Sequence, residues 1–255
     1  MILRYVLLGL VQGVTEWLPV SSSGHLVFLQ HFFGISMPVF LDALLHFASM
    51  LVILVVFWKD VKSILLSLFV EQYKPYRKYL LFILVGSLPI VVLGLLLRHR
   101  IEAMFTGFGF LAYTFTFTGF VLLMSRFRVF KFAKLTLPLA LVIGFAQAIA
   151  LVPGISRSGM TLATCLLLGI NKRDALRFSF LLALPALFGA FVLQLPGIAS
   201  VELGAAFVGF ITAFVFGIVA LRLLLRVFLL GKLHYFALWC FLMAILVGLS
   251  VSTGI

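Results

Sequence analysis

The chain has 255 residues, of which 64% are hydrophobic and only 10% are charged, and its mean hydropathy is +1.30. Soluble domains are about half apolar and about a quarter charged, so this composition excludes an ordinary soluble fold. A net charge of +12 would indicate nucleic acid in a soluble protein. Here the basic residues lie between apolar runs, where membrane topology and anionic lipids explain them, and we expect no nucleic-acid partner. The apolar runs are long and rich in Leu and Phe, which predicts an all-α polytopic membrane protein rather than a β-barrel.

The first two apolar runs, at about residues 5–18 and 24–35, are too short to cross a membrane, which takes roughly 20 apolar residues. A polar stretch joins them and reads Gln12-Gly-Val-Thr-Glu-Trp-Leu-Pro-Val-Ser-Ser-Ser-Gly-His25. Pro19 ends the first run, because proline clashes with the preceding helical turn and has no N–H to donate. We therefore predict a re-entrant helical hairpin whose polar tip is buried in protein.

Six longer apolar segments predict transmembrane helices, at about residues 37–58, 79–97, 107–125, 175–195, 202–221 and 235–252. Three basic clusters follow or precede these segments and set their orientation, because cytoplasmic loops are enriched in Lys and Arg. The clusters are Lys59/Lys62/Lys74/Arg77/Lys78, Arg126/Arg128/Lys131/Lys134 and Arg222/Arg226/Lys232. With all three on the cytoplasmic side, the chain crosses the membrane six times.

Residues 135–170 repeat the opening pattern, with two short apolar halves around the turn Pro153-Gly-Ile-Ser-Arg-Ser-Gly159. Four short matches recur in the same order: Gly9-x-x-Gln12 with Gly144-x-x-Gln147, Ser21-Ser-Ser-Gly24 with Ser156-Arg-Ser-Gly159, Gly34-Ile35 before Asp42-Ala-Leu with Gly169-Ile170 before Asp174-Ala-Leu, and Val85-Gly86 before Gly94 with Val208-Gly209 before Gly217. We therefore predict a single membrane domain, 1–255, with repeat halves of about 1–130 and 131–255. Each half has one hairpin and three crossings, so the halves have inverted topology, which places a site where the broken helices meet.

Glu16 is the most informative side chain of the first hairpin, because an ionisable group at membrane depth marks function by default. Gln12 lies one turn earlier on the same helix face, and either side chain could instead join helices as a polar contact. The Ser21–Ser23 turn can cap the second half-helix and, with its N-terminus, surround an anion. Together with His25 the segment supplies an acid, a nucleophile and a base, the set needed for covalent or water-mediated phosphoryl transfer.

Arg157 lies in the middle of the second apolar hairpin. Arginine is always charged and binds phosphate through two parallel hydrogen bonds, so it predicts an anion site. The alternative is a buried ion pair with Glu16 or Asp42. Neighbouring hydroxyl groups would add donors to the anion site; they belong to Ser156, Ser158 and Thr161.

Asp42 and His46 lie four residues apart on one helix face, and we expect both to line the cavity that holds this site. Gln147, which matches Gln12 in the second half, is expected to line it as well. For Asp42 the alternative is an acid favoured by the helix dipole in the first turn.

The two turns resemble the motifs of the undecaprenyl-diphosphate phosphatase family, also called the bacitracin-resistance family. The family's first motif is a Glu or Gln ahead of a Glu, a Pro-Val-Ser-Ser turn and Gly-His, and residues 12–25 contain all of it. The second motif, Pro-Gly-x-Ser-Arg-Ser-x-x-Thr, is complete at 153–161. The resemblance covers essentially the whole chain. It implies an integral membrane enzyme that hydrolyses undecaprenyl diphosphate to undecaprenyl phosphate and inorganic phosphate, which recycles the lipid carrier for peptidoglycan and other wall polymers.

The same resemblance implies residue roles and a location. Glu16, His25 and Ser22 match the family's catalytic positions. A divalent metal, Mg or Ca, is implied at Glu16 and Gln12, the latter a position that is Glu in many members. The enzyme is expected in the bacterial cytoplasmic (inner) membrane, with its site toward the outer, periplasmic face. The residues that we assign to substrate binding are Ser21, Ser23, Ser156, Arg157, Ser158 and Thr161.

Two alternatives remain open at the level of sequence. Either Ser22, activated by His25 that Glu16 orients, attacks the terminal phosphate, or the same His and Glu activate water. A polyprenyl-phosphate transporter or flippase would also use inverted repeats with broken helices, although it would not require a nucleophile, a base and an acid in one hairpin. The expected partners are a polyprenyl diphosphate and membrane lipids, and a homodimer is one assembly to expect.

Overall fold

The computed structural model describes residues 2–34, 37–105, 107–127 and 133–253, and these fold into a bundle of helices. The helices are α1 (Ile2–Trp17), α2 (Ser22–Phe33), α3 (Val39–Val56), α4 (Trp58–Leu66), α5 (Arg77–Leu96), α6 (Arg98–Met104), α7 (Leu111–Met124), α8 (Leu137–Ile149), α9 (Arg157–Leu167), α10 (Lys172–Gln194), α11 (Leu203–Leu229) and α12 (Phe236–Thr253). Short 3-10 helices adjoin α5, α10 and α12, at Glu71–Tyr76, Leu195–Ser200 and Leu233–Tyr235. Arg128 and Lys131 of the second basic cluster, and Ile35 of the sequence repeat, lie outside the described residues.

Five helical segments within the described ranges are long and apolar enough to cross a membrane: Val39–Val56, Glu71–Leu96, Lys172–Ser200, Leu203–Leu229 and Leu233–Thr253. The chain is therefore a multi-pass membrane protein, as its composition predicts. The remaining expected span, at about 107–125, corresponds to α7, which has 14 residues. A helix of that length rises roughly 21 Å, less than the roughly 30 Å of a bilayer's hydrocarbon core.

Two pairs of short helices flank the two polar turns. The first turn, residues 18–21, joins α1 to α2, and the second turn, residues 150–156, joins α8 to α9. Serine caps the helix that leaves each turn. The hydroxyl of Ser21 accepts a hydrogen bond from the backbone N–H of Gly24 at 3.3 Å, and that of Ser156 accepts one from Gly159 at 3.1 Å. Both helices therefore begin in a capped N-terminus, whose remaining N–H groups favour an anion nearby.

Glycines allow helices from distant parts of the chain to approach backbone to backbone. A Cβ added to Gly9 of α1 would lie 2.3 Å from the carbonyl oxygen of Gly209 in α11. A Cβ added to Gly144 of α8 would lie 2.1 Å from the carbonyl oxygen of Gly86 in α5. Small residues at such crossings are typical of helix packing in membranes, where close contact replaces the hydrophobic effect. The pairs α1/α11 and α5/α8 are accordingly among the most extensive contacts of the fold.

The largest apolar core packs directly behind the first turn. Trp17, the last residue of α1, is fully buried, and its ring meets that of Phe180 of α10 edge-on with centroids 5.7 Å apart. Val20 of the turn and Leu162 of α9 belong to the same cluster. Large apolar side chains therefore hold the polar turns at fixed positions within the bundle.

We expect Gly144→Ala to lower the free energy of unfolding by about 1–3 kcal/mol, because an extra methyl group forces apart a well-packed contact. The measurement is the thermal unfolding midpoint of the purified protein in detergent. Gly248→Ala in α12 is the matched control, since a Cβ added there meets no atom of the described residues within 4 Å. Equal midpoints for the two variants would contradict the close crossing of α5 and α8.

Candidate active site

A cavity of about 890 Å³ lies between α3, α5, α10 and the two turns. Its long wall is apolar and includes Ile90 and Val91 of α5 and Leu187 and Phe188 of α10. Its inner end is polar, and the side chains there are Glu16, Ser21, Ser22, Ser23, Asp42, His46, Ser156 and Arg157. A cavity that is polar at one end and apolar along its length suits an amphiphilic ligand.

An ion pair joins the two turns at this polar end. Arg157 Nη2 donates a hydrogen bond to Glu16 Oε1, and the two side chains are only 15% and 5% exposed. Of the two roles that the sequence left open for Arg157, the structure thus shows the ion pair with Glu16. The guanidinium also forms part of the cavity wall, so an anion in the cavity would meet it.

The other oxygen of the Glu16 carboxylate accepts a hydrogen bond from the hydroxyl of Ser22. The distance from Ser22 Oγ to Glu16 Oε2 is 2.5 Å. Gln12 Nε2 donates to the same carboxylate oxygen at 3.2 Å. A serine hydroxyl bonded to a carboxylate is placed to give up its proton, which is the requirement for a nucleophile and its base.

Helix α3 adds an imidazole and a second carboxylate beside Glu16. His46 Nε2 lies 3.4 Å from Glu16 Oε2, and His46 Nδ1 lies 3.5 Å from Asp42 Oδ2. His46 Nδ1 also lies 2.9 Å from the backbone oxygen of Asp42, an acceptor, so this nitrogen carries a proton. Asp42 and His46 therefore line the polar end of the cavity, where His46 contacts the carboxylate of Glu16 and Asp42 contacts His46.

His25 is close to this group but faces away from Ser22. Its Nδ1 lies 2.7 Å from the carbonyl oxygen of Ser21, and its Nε2 accepts a hydrogen bond from the indole of Trp239 at 2.9 Å. Both ring nitrogens thus have other partners. The expected activation of Ser22 by His25 does not fit this geometry, because the carboxylate of Glu16 occupies that place.

Five of the predicted residues lie outside the cavity wall: Gln12 and His25, described above, and also Gln147, Ser158 and Thr161. The hydroxyl of Ser158 points toward the backbone oxygen of Trp17 at 3.4 Å, and that of Thr161 shares a 2.5 Å hydrogen bond with Ser179. Gln147 is fully buried, and neither polar atom of its side chain has a hydrogen-bond partner in the described part of the chain. Ser158 and Thr161 therefore brace the second turn from behind instead of facing the cavity.

Thr118 of α7 is a residue of the site that sequence reasoning missed. Its hydroxyl donates to the carbonyl oxygen of Gly154 at 3.0 Å and accepts from the backbone N–H of Ser156 at 3.3 Å. One side chain thereby satisfies two backbone groups of the turn that carries Arg157. A threonine in an apolar helix resembles ordinary core, so no motif marked it.

A second polar group also lines the cavity, where α6 meets the end of α10. Arg98 Nε donates to Glu102 Oε1 at 2.9 Å, and Gln194 Nε2 donates to the same oxygen at 3.2 Å. The hydrogen bond from Arg98 holds the pKa of Glu102 below its usual value. This contact joins two walls of the cavity, α6 and α10.

The side chains around Glu16 that could take part in holding a divalent metal are its own carboxylate and the amide of Gln12. Within the described residues, no three His, Cys, Asp or Glu side chains are arranged to bind a metal by themselves. The Oε1 atom of Gln12 is buried and has no hydrogen-bond partner in the same residues. Mg²⁺ commonly takes one or two carboxylates and completes its shell with water and substrate phosphates.

Comparison with known proteins identifies the family. The sequence profile described as bacitracin resistance protein BacA matches residues 5–246. The chain belongs to the BacA family. Similar proteins named undecaprenyl-diphosphatase come from Korarchaeum cryptofilum, at 36% identity over 98% of both chains, and from Methanosphaera stadtmanae, at 36% over 96% of both. A third, from Desulfosudis oleivorans, is 39% identical over 93% of this chain and 94% of its own. The region matched to BacA contains both polar turns.

We expect Thr118→Val to destabilise this BacA-family protein by about 1–3 kcal/mol, because it leaves two buried backbone groups of the second turn without their partner. The unfolding midpoint in detergent reports the loss. Thr116→Val is the matched control, since among the described residues the hydroxyl of Thr116 bonds only to Ala112 of its own helix, at 2.7 Å. If both variants unfold at the same temperature, Thr118 does not hold the turn.

Proposed function

We propose that this chain is an undecaprenyl-diphosphate phosphatase, which hydrolyses undecaprenyl diphosphate to undecaprenyl phosphate and inorganic phosphate and recycles the lipid carrier of wall synthesis. The observation that carries this conclusion is the hydrogen bond from Ser22 Oγ to Glu16, directly beside the Arg157 guanidinium. The names of the BacA-family relatives agree with this reaction. A lipid transporter, the alternative from sequence, would need the cation but has no use for the hydroxyl bonded to a carboxylate.

The two ends of the cavity suit the two parts of this substrate. The diphosphate occupies the polar end, where it competes with the carboxylate of Glu16 for Arg157 and can engage the guanidinium through two hydrogen bonds. Hydroxyl groups of Ser21, Ser23 and Ser156 line the same end. The prenyl chain follows the apolar wall that α5 and α10 provide.

Glu16 and Ser22 perform the chemical step. Glu16 Oε2 accepts the proton of the Ser22 hydroxyl as Oγ bonds to the terminal phosphorus, and the bridging P–O bond breaks to release undecaprenyl phosphate. Arg157 stabilises the charge that develops on the phosphate oxygens. Water then attacks the phosphoserine and yields inorganic phosphate and free Ser22. In the alternative route Glu16 takes the proton of a water molecule, which attacks phosphorus directly while Ser22 positions it.

A divalent metal, Mg or Ca, is part of this proposal. Glu16 and Gln12 are the side chains that would hold it, since the Oε1 atom of Gln12 has no hydrogen-bond partner among the residues that the structure describes. When bound, it would neutralise diphosphate charge and make the phosphorus easier to attack.

We also propose the finer topology, with six crossings, two re-entrant hairpins and inverted halves of about 1–130 and 131–255. Two reciprocal contacts support it. Gly9 of the first half packs on Gly209 of the second, and Gly144 of the second half packs on Gly86 of the first. Gly9 matches Gly144 in the sequence repeat, and Gly86 matches Gly209. The same two helices of the repeat therefore pack together in both contacts, with the halves exchanged.

The orientation of the site follows from the basic clusters. If those clusters are cytoplasmic, the loop at Arg98–Glu102, between the spans at about 79–97 and 107–125, lies on the outer side. Arg98 and Glu102 of this segment, which is helix α6, line the cavity. We therefore place the site in the cytoplasmic membrane with its opening toward the outer, periplasmic face.

We expect the purified protein in detergent to release inorganic phosphate from undecaprenyl diphosphate, and Glu16→Gln and Ser22→Ala to lower kcat by about 100-fold or more, because the base or the nucleophile is lost. Ser63→Ala is the control, since the exposed hydroxyl of Ser63 bonds only to its own helix within the described part of the chain. Substrate labelled at the terminal phosphate should leave label on Ser22 after a rapid acid quench. Wild-type turnover by Ser22→Ala would remove the covalent route, and a wild-type protein that releases no phosphate would contradict the function.

A further inference from the structure

Trp239 of α12 reaches the first turn through His25. The indole Nε1–H donates to His25 Nε2 at 2.9 Å, and the two rings are nearly parallel, with 7° between their planes. An indole N–H can only donate a hydrogen bond, so His25 Nε2 is the acceptor and carries no proton.

The second ring nitrogen of His25 shows which tautomer is present. His25 Nδ1 lies 2.7 Å from the carbonyl oxygen of Ser21, which can only accept, so the proton is on Nδ1. Phe115 of α7 packs edge-on against the ring, with centroids 5.3 Å apart. His25 is 7% exposed and is not part of the cavity wall. An imidazole whose acceptor nitrogen is bonded to an indole has no free lone pair with which to take a proton from Ser22.

The oxygen that His25 holds lies next to the reacting serine. Ser21 O belongs to the planar peptide group that ends at the Cα of Ser22, and the backbone N–H of His25 also donates to it, at 3.2 Å. Ser21 has a φ of 68°, a conformation that is uncommon for residues with a side chain and persists only where the surroundings impose it. Fixing this oxygen therefore fixes the plane from which the Ser22 side chain rises toward Glu16.

We propose that Trp239 is a positioning residue for the phosphatase reaction and that His25 acts with it, as a positioning residue instead of the base. The indole holds the imidazole as the Nδ1–H tautomer, the imidazole holds the carbonyl of Ser21, and that peptide aims Ser22 at Glu16. This role rests on the proposed function, because Ser22 matters here as the group that meets the phosphate.

His25→Asn separates a positioning role from a base. The side-chain N–H of asparagine can donate to Ser21 O much as Nδ1–H does, but an amide cannot accept a proton near neutral pH. We expect kcat of His25→Asn to stay within about tenfold of the wild-type value. The kcat of His25→Ala should fall well below that of His25→Asn, because alanine cannot donate the hydrogen bond to Ser21 O. If His25→Asn folds with a wild-type midpoint and is as inactive as His25→Ala, the base role stands and the positioning role is overturned.

Trp239→Phe tests the hydrogen bond from Trp239 to His25, because it keeps an aromatic ring and removes the indole N–H. We expect kcat to fall by about tenfold with KM unchanged, since the groups that bind the diphosphate are left in place. Trp58→Phe is the control, because Trp58, at the start of α4, is 56% exposed and does not line the cavity. Wild-type kcat in Trp239→Phe would overturn the role of Trp239.

A spectroscopic readout keeps this test independent of turnover. In protein labelled with ¹⁵N-histidine, the His25 signals, assigned by their loss in His25→Asn, should be those of a single Nδ1–H tautomer in wild type and a tautomer mixture in Trp239→Phe. A wild-type His25 protonated on Nε2 would overturn the inference even if the enzyme is active. A wild-type protein with the Nδ1–H tautomer but no phosphate release would instead refute the proposed function.

Discussion

The buried ion pair between Glu16 and Arg157 is the interaction on which the rest of the structure depends. A lone charge in the interior of a membrane protein is costly, and each of these two is made tolerable by the other. The pair requires the end of α1 and the start of α9 to meet, although they are 141 residues apart in sequence. The glycine crossings of α1 with α11 and of α5 with α8 allow the surrounding helices to pack closely enough for this meeting.

The same pair connects stability with chemistry. Glu16 uses one oxygen for Arg157 and the other for Ser22, Gln12 and His46. A diphosphate that binds Arg157 replaces one anionic partner of the guanidinium with another, so the charge remains compensated. The carboxylate that loses Arg157 becomes a better proton acceptor, because a nearby cation stabilises the deprotonated form. Substrate binding would thus make Glu16 a stronger base toward the Ser22 hydroxyl, which it already contacts.

The residues that sequence could predict are those whose chemistry is out of place in an apolar chain. Glu16, Ser22 and Arg157 stand out because hydrocarbon surroundings make charged and polar groups conspicuous. Sequence could not predict the direction in which a side chain points. His25 has the residue type of a base, yet its ring nitrogens face Ser21 and Trp239. Trp239 and Thr118 gave no signal, because an indole or a threonine in an apolar helix resembles core until a polar partner from another helix is known.

A double-mutant cycle on the unfolding free energy tests most directly whether Glu16 and Arg157 depend on each other. Glu16→Gln and Arg157→Gln would be compared with the double variant in detergent. Each single change leaves a buried charge without its partner, and the expected loss is about 3–5 kcal/mol. The double variant has no unpaired charge, so it should be clearly more stable than the sum of the two losses predicts. Strictly additive losses would contradict the pairing, and with it the meeting of the two turns at one site.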